Sequence, residues 1–219
     1  MIKLDDIKQN ETIQTFIKVG DENLANMGFT EHNVRHVTLV ATTAYDILAK
    51  LGYPERQCEL AAIAGYIHDI GNVISRHDHG QSGAMLAYDV LSDLEMPPEE
   101  ISAVVAAIGN HEEQYGHAVN PVAAALILAD KSDVHRSRVR NRDVSTFDIH
   151  DRVNYGAEKS KVSVNPEEKS ITMELSIDNE ITTVMEYFEI FLTRMVMCRR
   201  AANFLECNFK LVINGAQLL

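Results

Sequence analysis

Only three cysteines occur, Cys58, Cys198 and Cys207, and no two of them stand as C-x-x-C. That excludes a disulfide framework; the three read as ordinary buried thiols in a reducing cytoplasm. No apolar run approaches the roughly 20 residues that span a bilayer, and Met1–Asn10 carries no secretory hydrophobic core. Basic residues are outnumbered: 20 Lys and Arg against 32 Asp and Glu leave a formal net charge of −12. The molecule therefore repels polyanions, which excludes nucleic acid and anionic membranes as general partners. A P-loop, a Gly-x-Ser-x-Gly elbow and a convincing nucleophilic cysteine are missing too. What is there is a 219-residue chain, 46% hydrophobic, enough to bury one core with a small appendage.

Helical patterning dominates to about residue 157. Asn10 suits the N-cap of a helix to Met27, with Gly28 as its stop. Thr30 suits the cap of a second, with Val37, Val40, Ala41, Ala44 and Leu48 on one stripe and an end at Leu51-Gly52. Pro54 fits the first turn of a third, which ends by Gly71. A polar stretch, Ser75–Gly80, leads into a fourth helix through about Glu95; Pro97-Pro98 open a fifth and Pro121 to Val134 make a sixth. Beyond it, Lys161–Asn165 and Ser170–Ile177 alternate with period two around Pro166–Lys169, a hairpin signal. Ile181 to Leu205 is helical again and Asn208–Ile213 reads as a closing strand. The expected fold is mainly α: a helical bundle over residues 1–145, then a small antiparallel sheet plus one long helix over 146–219, with a soft boundary.

Chemistry-bearing residues lie on this frame in a telling order. His68 and Asp69 are adjacent in Gly65-Tyr-Ile-His-Asp-Ile-Gly71. His36 shares an inward stripe with Val40 and Ala44, and Asp130 lies on an otherwise apolar face with Val122 and Leu126. A carboxylate aimed at a core costs several kcal/mol unless paired or metal-bound. His79 and His111 stand beside breaks in the helical pattern, just outside helix ends. Imidazoles and carboxylates gathered from several helices are what one or two hard-to-borderline metal ions need, and an aspartate beside a histidine can bridge two of them. His32, one turn before His36, is a candidate outer partner; His77, His117, His135 and His150 read as solvated.

In this ordered set, H…HD…H…H…D, the chain resembles the HD superfamily of metal-dependent phosphohydrolases. The segments that carry the likeness are His36-Val-Thr-Leu-Val-Ala41, Ala64-Gly-Tyr-Ile-His-Asp-Ile-Gly71, His79-Gly-Gln-Ser-Gly83 and Leu126-Ile-Leu-Ala-Asp130, within about residues 31–133. The resemblance implies that His36, His68, Asp69 and Asp130 bind one metal, and that His79 and His111, with Asp69 bridging, make a second site. It implies one or two divalent ions, Fe or Mn ahead of Ni, Co, Zn or Mg, with His68 and Asp69 as the catalytic pair. Asn72 stands where many relatives have lysine, and Asn110-His111-Glu112 and Tyr115-Gly-His117 replace the motifs of cyclic-dinucleotide phosphodiesterases. The pattern is more similar to the dinuclear group that contains dinucleoside tetraphosphate hydrolases, and diiron oxygenases of the superfamily share the ligand set.

Lys131, Arg136, Arg138, Arg140 and Arg142 follow the last aspartate in an otherwise acidic chain. They read either as a solvated loop or as phosphate clamps, because arginine offers bidentate donors to phosphate. The expected activity is metal-activated hydrolysis of a phosphoester or phosphoanhydride of a small metabolite, a nucleotide first. The rivals are a diiron oxygenase and a non-catalytic nucleotide-binding regulator. Self-association as a homodimer is left open.

Overall fold

The computed structural model describes residues 1–219. Helices α1 (Leu4–Gln9) and α2 (Glu11–Asn26) open the chain. The Asn10 side chain caps α2 by accepting from the Ile13 N–H at 3.1 Å, and Gly28 leaves it at φ +80°. Helix α1 goes beyond the sequence reading, because in six residues only Leu4 and Ile7 supply an apolar face. Helix α3 (Val34–Lys50) is capped by Asn33, not Thr30. Residues 30–32 are held in a loop instead, where the His32 N–H donates to Asp21 Oδ1 at 2.7 Å and its ring Nδ1 to the Thr30 carbonyl.

Helix α4 (Glu55–Ile67) gives way at His68 and Asp69 to a 3-10 turn over Ile70–Val73. Helices α5 (His79–Asp93), α6 (Pro98–Gly109) and α7 (Pro121–Lys131) complete the bundle. His79 is the first residue of α5 rather than outside it, entered through Asp78 in the left-handed region at φ 54°. Helix α7 stops three residues short of Val134, with Ser132 as its C-cap. Two glycines let these elements meet. A Cβ at Gly65 would lie 2.8 Å from Ala41 Cα, so α4 crosses α3 at close range. A Cβ at Gly71 would lie 2.0 Å from the His79 carbonyl oxygen and 2.6 Å from Gly83 N, so the 3-10 turn presses on the start of α5. Gly71→Ala is accordingly expected to destabilise the fold by about 2 kcal/mol or more through overpacking. Denaturant unfolding checks this; an unchanged midpoint would show that the turn and α5 separate freely.

The C-terminal part holds α8 (Ile149–Gly156), β1 (Ala157–Asn165), β2 (Ser170–Ile177), α9 (Val184–Phe204), β3 (Asn208–Ile213) and β4 (Ala216–Gln217). Helix α9 begins at Val184 rather than Ile181, because Thr183 and Glu186 close a reciprocal capping box. The sheet, ordered β1-β2-β3-β4, is mixed rather than purely antiparallel. The β1–β2 hairpin is antiparallel as expected, but β3 runs parallel to β2. A whole helix, α9, connects the two strands and returns the chain to the end where β2 began, which a short turn cannot do. Ile171, Met173 and Leu175 of β2 pair with Phe209, Leu211 and Ile213 of β3. All six are buried and join the same apolar cluster as the bundle. No helix is long and apolar enough to cross a membrane.

Candidate metal centre

Four buried histidines meet where α3, the end of α4, the start of α5 and the end of α6 converge: His36, His68, His79 and His111. In each, ring Nδ1 faces an oxygen that can only accept. His36 Nδ1 lies 2.7 Å from Asp133 Oδ2, and His68 Nδ1 lies 2.9 Å from the Gly65 carbonyl. His111 Nδ1 is 2.6 Å from the Ile108 carbonyl. His79 Nδ1 is shared between the Arg76 carbonyl at 3.0 Å and Glu112 Oε1 at 2.6 Å. All four Nδ1 atoms must therefore carry a proton and donate, which turns the four Nε2 lone pairs inward.

Those lone pairs point at one another. His36 Nε2 and His68 Nε2 are 3.3 Å apart, and His79 Nε2 and His111 Nε2 are 3.1 Å apart. Two lone pairs that close repel unless positive charge lies between them, as a proton or as a cation. Asp69 and Asp130 supply the balancing anions. Asp69 Oδ2 stands 3.3 Å from His68 Nε2 and 3.5 Å from His36 Nε2; Asp130 Oδ1 stands 3.6 and 3.5 Å from the same two atoms. The other Asp69 oxygen, Oδ1, faces His79 Nε2 at 3.3 Å. Asn72 orients this carboxylate by donating to Oδ1 at 3.0 Å, while the buried Oδ2 has no hydrogen-bond partner at all.

The arrangement fits divalent metal. Ligand bonds near 2.1 Å in a tetrahedral array put donor atoms about 3.4 Å apart; His36 Nε2 and His68 Nε2 stand 3.3 Å from each other, and each stands 3.3–3.6 Å from an oxygen of Asp69 and one of Asp130. His36, His68 and Asp130 form one group able to hold an ion, and His68, Asp69 and His111 another. Burial opposes charging of His68, but Asp69 and Asp130 outweigh it and push the imidazole up to about 10. Burial pushes Asp69 and Asp130 up; neighbouring His68 for the one and Lys131 for the other overcome it and hold both well below the carboxylate range. His111 goes the other way, down to about 3, through burial and the proximity of His79 and His68.

Outer partners set the ligand side chains. Asp133, 2% exposed, receives His36 and a forked contact from Arg35, whose Nη2 and Nη1 lie 2.9 and 3.3 Å from its two oxygens. Glu112 ties His79 to the first turn of α5 by also accepting the Gly80 N–H at 3.1 Å. The sequence reading missed both roles, although Asp133 lies three residues from Asp130 and Glu112 is next to His111. His32 is engaged elsewhere: its Nε2 accepts from Arg138 Nη2 at 3.2 Å, and its ring centre is 5.4 Å from that of His36.

The cluster opens into a cavity of about 320 Å³ lined by Asp69, His79, His111 and Asp130. Of the five basic residues expected beside the metals, Lys131 and Arg138 line it. Lys131 Nζ lies 2.7 Å from Asp130 Oδ2 and 3.2 Å from Glu113, and Arg138 donates to the Glu31 and Asp133 carbonyls. Arg136 pairs with Glu158 and Arg140 with Asp21, outside the cavity lining, and Arg142 is exposed. Helices α8 and α9 add walls that sequence reasoning did not foresee: Asp148, Asp151 and the exposed His150 from one, Phe191 and Arg194 from the other.

Comparison with known proteins places this geometry in a family. The profile described as HD domain matches residues 33–158. An uncharacterized protein of Methanocaldococcus jannaschii is similar to this chain, 25% identical over an alignment of 199 positions that covers 80% of this chain and 76% of that protein. Among solved structures, the chain is similar to a predicted HD superfamily hydrolase from an uncultured Thermotogales bacterium. That match has 20% identity and a TM-score of 0.46, covering 61% of this chain and 75% of the other.

Proposed function

Because the chain belongs to the HD domain family, we propose that it is a metal-dependent phosphohydrolase. Its substrate is a small phosphorylated metabolite, a nucleotide first, cleaved at a phosphoester or phosphoanhydride bond. The observation that carries this reading is the Asp69 carboxylate, whose two oxygens face two different histidine groups, Oδ2 toward His36 and His68 and Oδ1 toward His79. His36, His68, Asp69 and Asp130 would hold one ion, and His79 and His111, with Asp69, a second. Divalent ions held there would supply Lewis acidity and a water acidified enough to act as a nucleophile near neutral pH.

The chain's own residues do the rest. Asp133 keeps the His36 Nδ1 proton in place and Glu112 keeps that of His79, so both rings present Nε2 as a donor. Lys131 sits on Asp130 Oδ2 and leaves Oδ1 for the centre. Burial of the cluster strengthens every charge–charge contact within it by excluding water.

Purified protein loaded in turn with Mn, Fe, Co, Ni and Mg and screened against phosphorylated metabolites tests the reading. Phosphate release under anaerobic conditions, abolished by a chelator and restored by metal, is the expected result. Turnover that requires oxygen would mark an oxygenase instead, and nucleotide binding without turnover at full metal loading would mark a sensor.

A further inference from the structure

We propose that Arg76 and Arg194 together grip the phosphate of the substrate, and that the cavity takes a singly phosphorylated small molecule rather than a polyphosphate. This rests on the phosphohydrolase reading above and adds which side chains recognise the substrate. Four Lys and Arg side chains line the cavity: Arg76, Lys131, Arg138 and Arg194. Two of them are taken. Lys131 lies between Asp130 and Glu113, and Arg138 spends Nε, Nη1 and Nη2 on protein acceptors.

The other two keep donors free. Arg76 makes one long contact from Nη1 to Asn72 Oδ1 at 3.5 Å and another to His79 Nε2 at 3.4 Å, and its Nε and Nη2 donate to no protein group. Arg194 is held by an ion pair, its Nε 2.7 Å from Glu113 Oε1, and Glu113 Oε1 accepts no hydrogen bond; both terminal nitrogens of Arg194 are left without a protein acceptor. Each guanidinium is also backed by an aromatic ring of the same cavity. Arg76 stands 5.6 Å from the centre of Phe29, and Arg194 stands 4.4 Å from that of Phe191. Stacking of that kind fixes the plane of the fork without consuming its N–H groups. The two arrive from distant parts of the chain, Arg76 from the segment before α5 and Arg194 from α9, and both line the cavity that His79 and His111 also line. Two planar forks with free donors thus line the cavity of the candidate metal centre, and a guanidinium fork is the donor geometry that suits phosphate oxygens.

Size and charge narrow the ligand. A cavity of about 320 Å³ is at the low end for a bound small molecule. The side chains that α8 adds to its lining include two carboxylates, Asp148 and Asp151. They repel a second phosphate and accept hydrogen bonds from hydroxyl or amino groups, which suits a phosphomonoester with a polar, uncharged body.

Inorganic phosphate is the probe. Manganese-loaded parent, Arg76→Ala, Arg194→Ala and the two lysine variants are compared by calorimetric titration with phosphate, with metal content measured on the same samples. Each alanine variant is expected to weaken phosphate binding about tenfold or more at unchanged metal content. The lysine variants should fall between, because they keep charge but lose the fork. In steady state KM should rise more than kcat falls. If the parent hydrolyses phosphomonoesters and both alanine variants bind phosphate within about twofold of it, the grip is wrong while the hydrolase reading stands. A parent that neither hydrolyses phosphomonoesters nor binds phosphate overturns both. A lower KM for a nucleoside triphosphate than for the matching monophosphate overturns the preference for a single phosphate.

Discussion

Asp69→Asn is expected to yield a folded protein that has lost its metal, with kcat/KM at least about a thousandfold below the parent, since under the proposed function the centre would supply several kcal/mol of transition-state stabilisation. The expectation follows from what each carboxylate oxygen touches. Oδ1 accepts from Asn72, and an amide oxygen can keep that bond. Oδ2 is buried without a hydrogen-bond partner, between His36 and His68 at 3.5 and 3.3 Å. An amide nitrogen in its place would meet the Nε2 atoms of His36 and His68, the same atoms an ion would use. The metal-free fold keeps the Asn72 bond but loses the anion beside the charged His68 imidazole, and the site loses a negative charge and a ligand together. Elemental analysis and thermal unfolding, with and without chelator, separate the two effects. Chelator should lower the parent's midpoint and leave the variant's unmoved. A variant that keeps the parent's metal content, with activity within about tenfold, would show that Asp69 is not shared between ions.

The candidate centre was legible in the sequence because its residues are local exceptions on patterned helices. His36 interrupts the stripe of Val37, Val40 and Ala44, and Asp130 follows eight buried residues of α7. Such polar residues at inward positions need a reason, and their order along the chain supplies one. Asp133 and Glu112 were harder to see, since a carboxylate near a helix end is commonplace and its target, an Nδ1 proton on another helix, depends on ring orientation. Arg76 and Arg194 could not be read at all. One sits in a polar loop and the other on α9, more than a hundred residues away, and only the packing of α9 against α7 brings them to one cavity. The sheet's mixed order was lost for a similar reason. Period-two alternation marks a strand but carries no direction, which the length of the α9 crossover decides.

Asp133→Ala should combine the largest stability loss with a weakened metal centre. Its carboxylate is 2% exposed and holds three cations or donors: the Arg35 fork at 2.9 and 3.3 Å, the His36 Nδ1–H at 2.7 Å and Arg138, whose Nε lies 3.7 Å away. Burial works against its charge, but His36, Arg138 and Arg35 hold the group ionised well below the ordinary carboxylate range. Removing it takes the nearest counter-charge from the buried Arg138, leaves Arg35 with Glu31 alone, 2.7 Å from its Nε, and leaves the His36 Nδ1–H with nothing to accept it. Breaking a buried ion pair from one side costs about 3–5 kcal/mol, which for a chain of this size lowers the thermal midpoint by roughly 6–20 °C. The unoriented His36 ring should bind metal about 10- to 100-fold more weakly, as loss of a ligand's outer partner does elsewhere. Asp133→Asn tells the two contributions apart. Its amide oxygen can still accept from His36 or Arg35, so stability recovers in part, but a neutral partner no longer raises the basicity of the ring. Metal affinity in the asparagine variant should therefore stay below the parent's in a chelator competition. Parent-like affinity in the alanine variant, with only the midpoint lowered, would reduce Asp133 to a structural counter-ion for the two arginines and leave His36 to be oriented by packing alone.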